Sequence, residues 1–172
     1  MNIYVASSWR NERQPEVVSA LRRLGADVYD FKNPAPGDHG FHWSEIDHGW
    51  ERWTPEAFRA ALDHSIADRG FSYDMQALMD CDVCVLLMPS GRSAHIEAGY
   101  ASGAGKKLVI LLAPGEPELM YKMADFVCCE LEEVISAVSV LMKWERMRNR
   151  AGQAKACPTT EGLAGGNACP TL

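Results

Sequence analysis

The residues best suited to chemistry directly follow the apolar run Val83–Met88. Ser90, Gly91, Arg92 and Ser93 form a polar turn that leads into a segment rich in Ala and Gly. At the start of a helix the free backbone N–H groups bind anions, and hydroxyl and guanidinium side chains add to that binding. These four residues predict a phosphate-binding turn that does not use the lysine of a Walker motif.

A carboxylate, Glu97, lies in the first turns of the same predicted helix and close to that turn. There it could act as a nucleophile. The alternative is an acid that only complements the helix dipole, an effect of ~0.3–1 kcal/mol. The small residues Ala94, Ala98 and Ala101 would let this helix approach a sheet closely and hold Glu97 rigidly.

The elements that must position these residues are strands and helices that alternate along the chain. Apolar runs predict strands at Asn2–Ala6, Ala26–Phe31, Val83–Met88, Lys107–Ala113 and Phe126–Cys129. Helical spacing predicts helices at Pro15–Leu24, at Ser93–Gly105 and at Leu131–Met147, and a short helix that closes at Met75–Met79.

This alternation predicts an α/β fold with an open, mostly parallel sheet of about five strands and right-handed crossovers that place helices on both faces. Ligands of such folds bind at the carboxyl ends of the strands. We therefore expect the site just after Ala6 and Met88.

A long insertion, residues 33–70, interrupts the alternation and holds three of the five Trp and four of the five His. Connections of this length in a compact domain are usually functional, so we predict a lid. Thr54 is a suitable N-cap for a helix within it. Trp43 and Trp50 could stack on a flat ligand; the alternative is a small satellite core under the loop.

Length and composition predict one domain over residues 1–148, followed by a tail, 149–172, that we expect to be disordered. The formal charge of −6 gives no general attraction to a nucleic-acid polymer or an anionic membrane. No apolar stretch approaches the ~20 residues that span a bilayer. No secretion signal precedes the first strand, which predicts a cytoplasmic location and cysteines that pack as small hydrophobic residues.

Three segments, taken in chain order, resemble the nucleoside 2-deoxyribosyltransferase family, which includes the 2′-deoxynucleoside 5′-monophosphate N-glycosidases. They are Ile3–Trp9, Tyr73–Asp74 and Glu97–Ala101, and the resemblance covers residues 1–32 and 71–130. The resemblance implies a flavodoxin-like, Rossmann-like sheet. It also implies a glutamate that attacks the anomeric carbon and forms a covalent glycosyl-enzyme.

The same resemblance implies a role for each acid. Glu97 would be the nucleophile, Tyr4 would hold its carboxylate, and Asp74 would contact the sugar hydroxyls or transfer a proton. Cleavage of an N-glycosidic bond passes through an oxocarbenium-like state, so a carboxylate at the anomeric carbon and a second acid suit the chemistry. The alternatives are an N-cap role for Asp74 before Met75 and an ordinary core role for Tyr4.

Substrate contacts are expected at the end of the first strand and in the polar turn, from Ser7, Ser8, Trp9, Arg10, Ser90, Gly91, Arg92 and Ser93. In nucleoside transferases an acid stands six positions before the nucleophile, and this chain has Gly91 there. The serines and Arg92 resemble the branch that cleaves nucleotides, in which hydroxyls and backbone amides hold a 5′-phosphate.

We therefore expect an enzyme that cleaves the N-glycosidic bond of a (deoxy)nucleoside 5′-monophosphate. The alternatives are a 2-deoxyribosyltransferase that exchanges bases and a non-catalytic sensor of nucleotides or ADP-ribose. We expect no cofactor and no metal, because the histidines of the insertion lack the Cys/His spacing of a zinc site. The expected assembly is a homodimer or a higher homo-oligomer that acts on a small nucleotide or nucleoside.

Overall fold

The computed structural model describes residues 1–155, and within them the centre of the fold is a parallel sheet of five strands. The strands are β1 (Asn2–Ala6), β2 (Asp27–Tyr29), β3 (Val83–Leu87), β4 (Lys107–Leu111) and β5 (Phe126–Cys128). Their order across the sheet is β2-β1-β3-β4-β5, and each neighbouring pair is parallel. The predicted open parallel sheet is confirmed.

The helices are α1 (Gln14–Arg23), α2 (Pro55–Ala61), α3 (Ser65–Asp80), α4 (Arg92–Gly103) and α5 (Leu131–Lys155). Short 3-10 helices occur at Trp43–Glu45, Trp50–Arg52 and Leu119–Met123. The sheet, α1 to α4 and every group of the candidate site lie in one compact unit, Met1–Ser139, and a second unit begins at Val140. Of the predicted tail 149–172, the part 156–172 lies outside the described residues.

The strand order changes direction at β1. The chain moves from β1 to β2 on one side and then to β3 and β4 on the other. Because such crossovers are right-handed, the helix that precedes β2 and the helices α3 and α4 cover opposite faces of the sheet. The crevice between the carboxyl ends of β1 and β3 is therefore the point at which folds of this type bind ligands.

One face of the sheet packs against α3 and α4. Its buried residues alternate along the strands, as a period of two requires, and the helices contribute small residues. The cluster includes Tyr4, Ala6, Cys84, Leu86, Leu108, Ile110, Leu78, Ala94, Ala98 and Ala101. The alanines bring α4 close to β1, β3 and β4, which is the approach that the sequence predicted.

Several predicted boundaries are wrong. The helix α3 begins at Ser65, ten residues before Met75, because the ring Nδ1 of His64 accepts the backbone N–H of Ile66 at 3.2 Å and caps it. The strand β2 ends at Tyr29 instead of Phe31. The helix α5 continues past Met147 to Lys155.

The insertion therefore ends at residue 64, where the cap of α3 begins. Thr54 caps α2 as predicted, because its hydroxyl oxygen accepts the backbone N–H of Ala57 at 3.3 Å. The described cysteines are free thiols, and Cys81, Cys84 and Cys128 are buried. Between residues 1 and 155, no helix combines the length and the apolar character that a membrane span requires.

Candidate active site

Two stacked tyrosines form the floor of the site at the carboxyl edge of the sheet. Tyr4 and Tyr29 pair in the β1–β2 register, and their rings stack with centroids 5.4 Å apart and planes 16° apart. Burial raises the pKa of Tyr4 and of Tyr29 above the ordinary range, and neighbouring carboxylates raise both further. Both phenols therefore keep their protons and act as hydrogen-bond donors.

Asp74 lies within α3, and its carboxylate contacts Tyr29 of the stacked tyrosine pair. The hydroxyl of Tyr29 donates a hydrogen bond of 2.8 Å to Asp74 Oδ1. Burial raises the pKa of Asp74 from 3.8 to about 6, and the hydrogen bond from Tyr29 opposes that rise. The N-cap alternative for Asp74 is wrong, because nine residues of α3 precede it.

Glu97 lies in the second turn of α4, close to Asp74 and Tyr4. Burial raises the pKa of Glu97 from 4.5 to about 7, the negative charge of Asp74 raises it further, and a side-chain hydrogen bond from Tyr4 lowers it. Two carboxyl groups in one partly desolvated crevice cannot both ionise freely, so the pair titrates as a coupled unit.

The arrangement offers an acid, a carboxylate and two fixed phenol donors at one point of the sheet. Perturbed carboxyl pairs of this kind in a crevice are typical of glycosyl-transfer and proton-transfer sites. The structure brings together the three predicted catalytic residues, Glu97, Asp74 and Tyr4. It adds Tyr29, which the sequence reasoning did not select.

An open cleft of about 670 Å³ is lined by residues of the loop after β1, the insertion and α3, and the carboxyl pair and the two stacked tyrosines are not part of its lining. Its lining includes Trp9 and Tyr73, the neighbour of Asp74, together with Asp38, Gly40 and His42 from the insertion. Trp9 is 41% exposed and contacts the His42 ring edge-on, with centroids 6.1 Å apart.

Gly40 is required where it stands, beside Trp9. Its φ of +72° lies in the left-handed region, and a Cβ there would meet the backbone oxygen of Phe31. The insertion can therefore approach the end of β2 only with a glycine at this position.

The loop after β1 is tied to the turn after β3. The Ser7 hydroxyl donates to the backbone oxygen of Leu87 at 3.1 Å, and buried Asn11 donates from Nδ2 to the backbone oxygen of Pro89 at 3.1 Å. The Ser8 hydroxyl oxygen accepts the backbone N–H of Arg10 at 3.2 Å. Ser7 and Ser8 are thus engaged in holding the loop, while the Arg10 side chain is exposed.

The predicted phosphate-binding turn lies at the start of α4. Gly91 is the N-cap and no side chain caps the helix, so its first N–H groups have no side-chain acceptor. Gly91, Arg92 and Ser93 are exposed, and Ser90 is half-buried. Two residues separate the turn from the end of β3, and α4 begins at Arg92, one residue earlier than predicted.

Trp43 lies outside the lining of the cleft. Its ring contacts Phe41, Trp53 and Phe58 edge-on, with centroids 4.7 to 5.6 Å apart, which is the satellite-core arrangement. Trp50 contacts the His42 ring from the side, with centroids 5.6 Å apart. The predicted stacking of these two tryptophans on a ligand stays a prediction.

The sequence reasoning missed Tyr29, Asn11, His95 and Tyr121, all of which lie at this edge. Tyr29 carried a weak signal, since it stands near the end of a predicted strand, as Tyr4 does. Among residues 1–155 no group of three or more metal-ligating side chains is present.

No protein-family model matches the chain, and no curated protein matches it in sequence. The solved structures that are similar to this chain include two enzymes. A 2-deoxyribosyltransferase from the psychrotolerant bacterium Bacillus psychrosaccharolyticus is 20% identical, with 77% of this chain and 89% of that chain covered and a TM-score of 0.52. The CMP N-glycosidase of Clostridium botulinum is 18% identical, with 80% of this chain and 97% of that chain covered and a TM-score of 0.46.

The similarity to the transferase establishes the fold. The chain has the flavodoxin-like α/β fold of a 2-deoxyribosyltransferase, as the resemblance of its three sequence segments implied. The predicted fold class is confirmed.

Proposed function

We propose that this protein is an enzyme that cleaves the N-glycosidic bond of a (deoxy)nucleoside 5′-monophosphate through a covalent glycosyl-Glu97 intermediate. The observation that carries the proposal is the half-buried carboxyl pair Glu97 and Asp74, held by Tyr4 and Tyr29 at the carboxyl edge of the sheet. A sensor has no need of two desolvated acids whose pKa values stand near neutrality, whereas a glycosidase does.

The first step would form an ester between a Glu97 oxygen and the anomeric carbon. The bond from that carbon to the base nitrogen breaks, and its electron pair leaves with the base, which takes up one proton. In the second step water attacks the anomeric carbon, and the ester bond breaks to restore the Glu97 carboxylate. The proton released by the water replaces the one the base took, so the sum is nucleotide plus water giving base plus sugar phosphate.

Asp74 suits the second acid of this scheme. Its position beside Glu97 places it next to the sugar, where its carboxylate would accept hydrogen bonds from the sugar hydroxyls. Tyr4 would fix the rotamer of Glu97, and its hydrogen bond favours the ionised carboxylate that attacks.

The polar turn favours a nucleotide over a nucleoside. Free N–H groups at the start of α4, with Arg92 and the hydroxyls of Ser90 and Ser93, match a dianionic phosphate. In a chain of net charge −6, this local group and Arg10 supply the positive field that the phosphate needs. The base would lie in the cleft beside Trp9.

A panel of nucleoside monophosphates and matching nucleosides, with chromatography for the free base, tests the proposal. Base released from a nucleotide by the wild type and not by Glu97→Gln supports it. Glu132→Gln, the same change at an exposed position of α5, is the matched control and keeps its activity. No base released from any compound would reject the proposal.

Base exchange is the second candidate, because a solved structure similar to this chain is a 2-deoxyribosyltransferase. Adding a second free base to the reaction separates the two. A new nucleoside or nucleotide identifies transfer, and sugar phosphate alone identifies hydrolysis.

A further inference from the structure

His95 connects the first turn of α4 to the segment between β4 and β5. Its Nδ1 lies 2.9 Å from the backbone oxygen of Gly91, and its Nε2 lies 2.9 Å from the hydroxyl oxygen of Tyr121. The two rings also stack, with centroids 5.9 Å apart and planes 17° apart. His95 points away from the carboxyl pair, since it stands two residues from Glu97 on a helix.

The partners of His95 define where its proton lies. A backbone carbonyl only accepts, so Nδ1 carries the hydrogen that Gly91 receives. In the neutral ring Nε2 is then an acceptor, and the hydroxyl of Tyr121 donates to it. Both ring nitrogens are thereby used, which fixes the orientation of the ring.

The contacts of His95 and Tyr121 extend to Ser90 of the polar turn. The Ser90 hydroxyl donates to Met88 Sδ at 3.2 Å, and Tyr121 Oη also lies 3.2 Å from that sulfur. Ser90 Oγ is 3.4 Å from His95 Nδ1. On the other side Asn11 holds the backbone oxygen of Pro89.

The turn itself has little other support. No side chain caps α4 at Gly91, and Arg92 and Ser93 are exposed. A binding loop that must present its N–H groups in one arrangement gains affinity when that arrangement exists before the ligand arrives. The contacts of His95 supply that order together with the hydrogen bond from Asn11 to Pro89.

We propose that His95 and Tyr121 are positioning residues that hold the Ser90–Ser93 turn in the shape that binds the 5′-phosphate of a nucleotide. The inference rests on the proposed function and deepens it, because it assigns the preference for a nucleotide to two residues that need not touch the substrate. Removing them lowers the affinity for a nucleotide and leaves the affinity for the matching nucleoside unchanged.

Calorimetry in the Glu97→Gln background tests this, since binding there is measured without turnover. The ligands are a nucleoside 5′-monophosphate that the parent binds and the corresponding nucleoside. We expect His95→Ala to weaken nucleotide binding by about tenfold or more and nucleoside binding by less than about twofold. His95→Asn restores most of the loss, because its Nδ2 replaces Nδ1 as donor to Gly91, and Tyr121→Phe shows a smaller loss in the same direction.

Equal losses for both ligands would assign His95 a general structural role and overturn the inference, as would unchanged nucleotide binding in His95→Ala. If His95→Ala does not fold, the other two variants decide the matter by the same comparison. A Glu97→Gln parent that binds no nucleotide rejects the proposed function and this inference with it. A parent that binds nucleotides while the variants lose nothing rejects the inference alone.

Discussion

Tyr29 donates a hydrogen bond of 2.8 Å to Asp74, and this single contact joins the edge strand β2 to the third turn of α3. Because the Tyr29 ring also stacks on Tyr4, it ties the second acid of the site to the strand beneath the nucleophile. Asp74 and Glu97 therefore accept hydrogen bonds from the two tyrosines of one stacked pair. Their protonation is therefore linked, and the pH dependence of the enzyme should reveal it.

The rate should follow the ionisation of Glu97. We expect kcat/KM of the wild type to rise with pH and to level off above a pH of about 7. In Asp74→Asn the rate is lower, and the rise moves to lower pH, because the negative charge that raises the pKa of Glu97 is gone.

The control for that profile is Asp68→Asn, the same change at an exposed position of α3, which should leave the midpoint in place. If the matching nucleoside is also cleaved, the pH profile measured with it contains no contribution from the ionisation of a phosphate group. A midpoint unaffected by Asp74→Asn would contradict the coupling of the two acids.

The free energy of unfolding should depend on the same carboxyl. The folded-state pKa of Glu97 lies above its ordinary value of 4.5, so its contribution to stability is full below a pH of about 4.5 and is lost as the pH rises through about 7. Glu97→Gln removes that loss. We expect its melting temperature to exceed that of the wild type by an amount that grows over this pH range.

Thermal unfolding at several pH values measures the difference, with Glu132→Gln as a control whose difference stays constant. Parallel curves for Glu97→Gln and the wild type would mean that the Glu97 carboxyl is not desolvated in the folded protein.

Asn11 should contribute more to stability than its neighbour Ser7. Asn11→Asp replaces an amide donor by a carboxylate that faces the carbonyl of Pro89, and we expect a loss of about 2–3 kcal/mol in the free energy of unfolding. Ser7→Ala loses only one neutral hydrogen bond, worth about 1 kcal/mol. Denaturant unfolding of both variants checks the order, and an Asn11→Asp protein as stable as Ser7→Ala would contradict it.

Substitution of Trp9 should affect substrate binding, whereas substitution of Trp43 should affect stability. Trp9→Ala removes a cleft wall that could stack on a base, an interaction of ~1–3 kcal/mol, so we expect KM to rise by about tenfold with little change in melting temperature. Trp43→Ala opens the aromatic cluster and should lower the melting temperature by several degrees with KM unchanged. If Trp43→Ala instead raised KM and Trp9→Ala instead lowered the melting temperature, the base would bind at Trp43 and not at Trp9.

The sequence predicted the parts of this molecule whose signals are local. Continuous apolar runs defined β3 and β4, and the turn from Ser90 to Ser93 followed from the residues at the end of β3. The glutamate and its second acid came from the family resemblance. The strands and the turn depend on neighbours in the chain, so spacing was sufficient to find them, whereas the roles of Glu97 and Asp74 were implied by the resemblance.

The features that the sequence did not predict depend on distant residues. Gly70 suggested the end of a loop, yet it lies inside α3, where a Cβ would collide with Phe41 of the insertion. Glycine is therefore needed at position 70 for a close tertiary contact and not for a turn. His64 is an unusual N-cap, so the true start of α3 gave no recognisable signal, and Asp74 appeared to precede the helix that contains it.

Covalent trapping of Glu97 tests the central claim most directly. The protein is incubated with a 2-fluoro sugar analogue of the nucleotide, which slows release of the glycosyl-enzyme, and is then digested and analysed by mass spectrometry. We expect the wild type to gain the mass of the fluorinated sugar phosphate on Glu97 and Glu97→Gln to gain none. Attachment of that mass to Asp74 or to any other residue would contradict it.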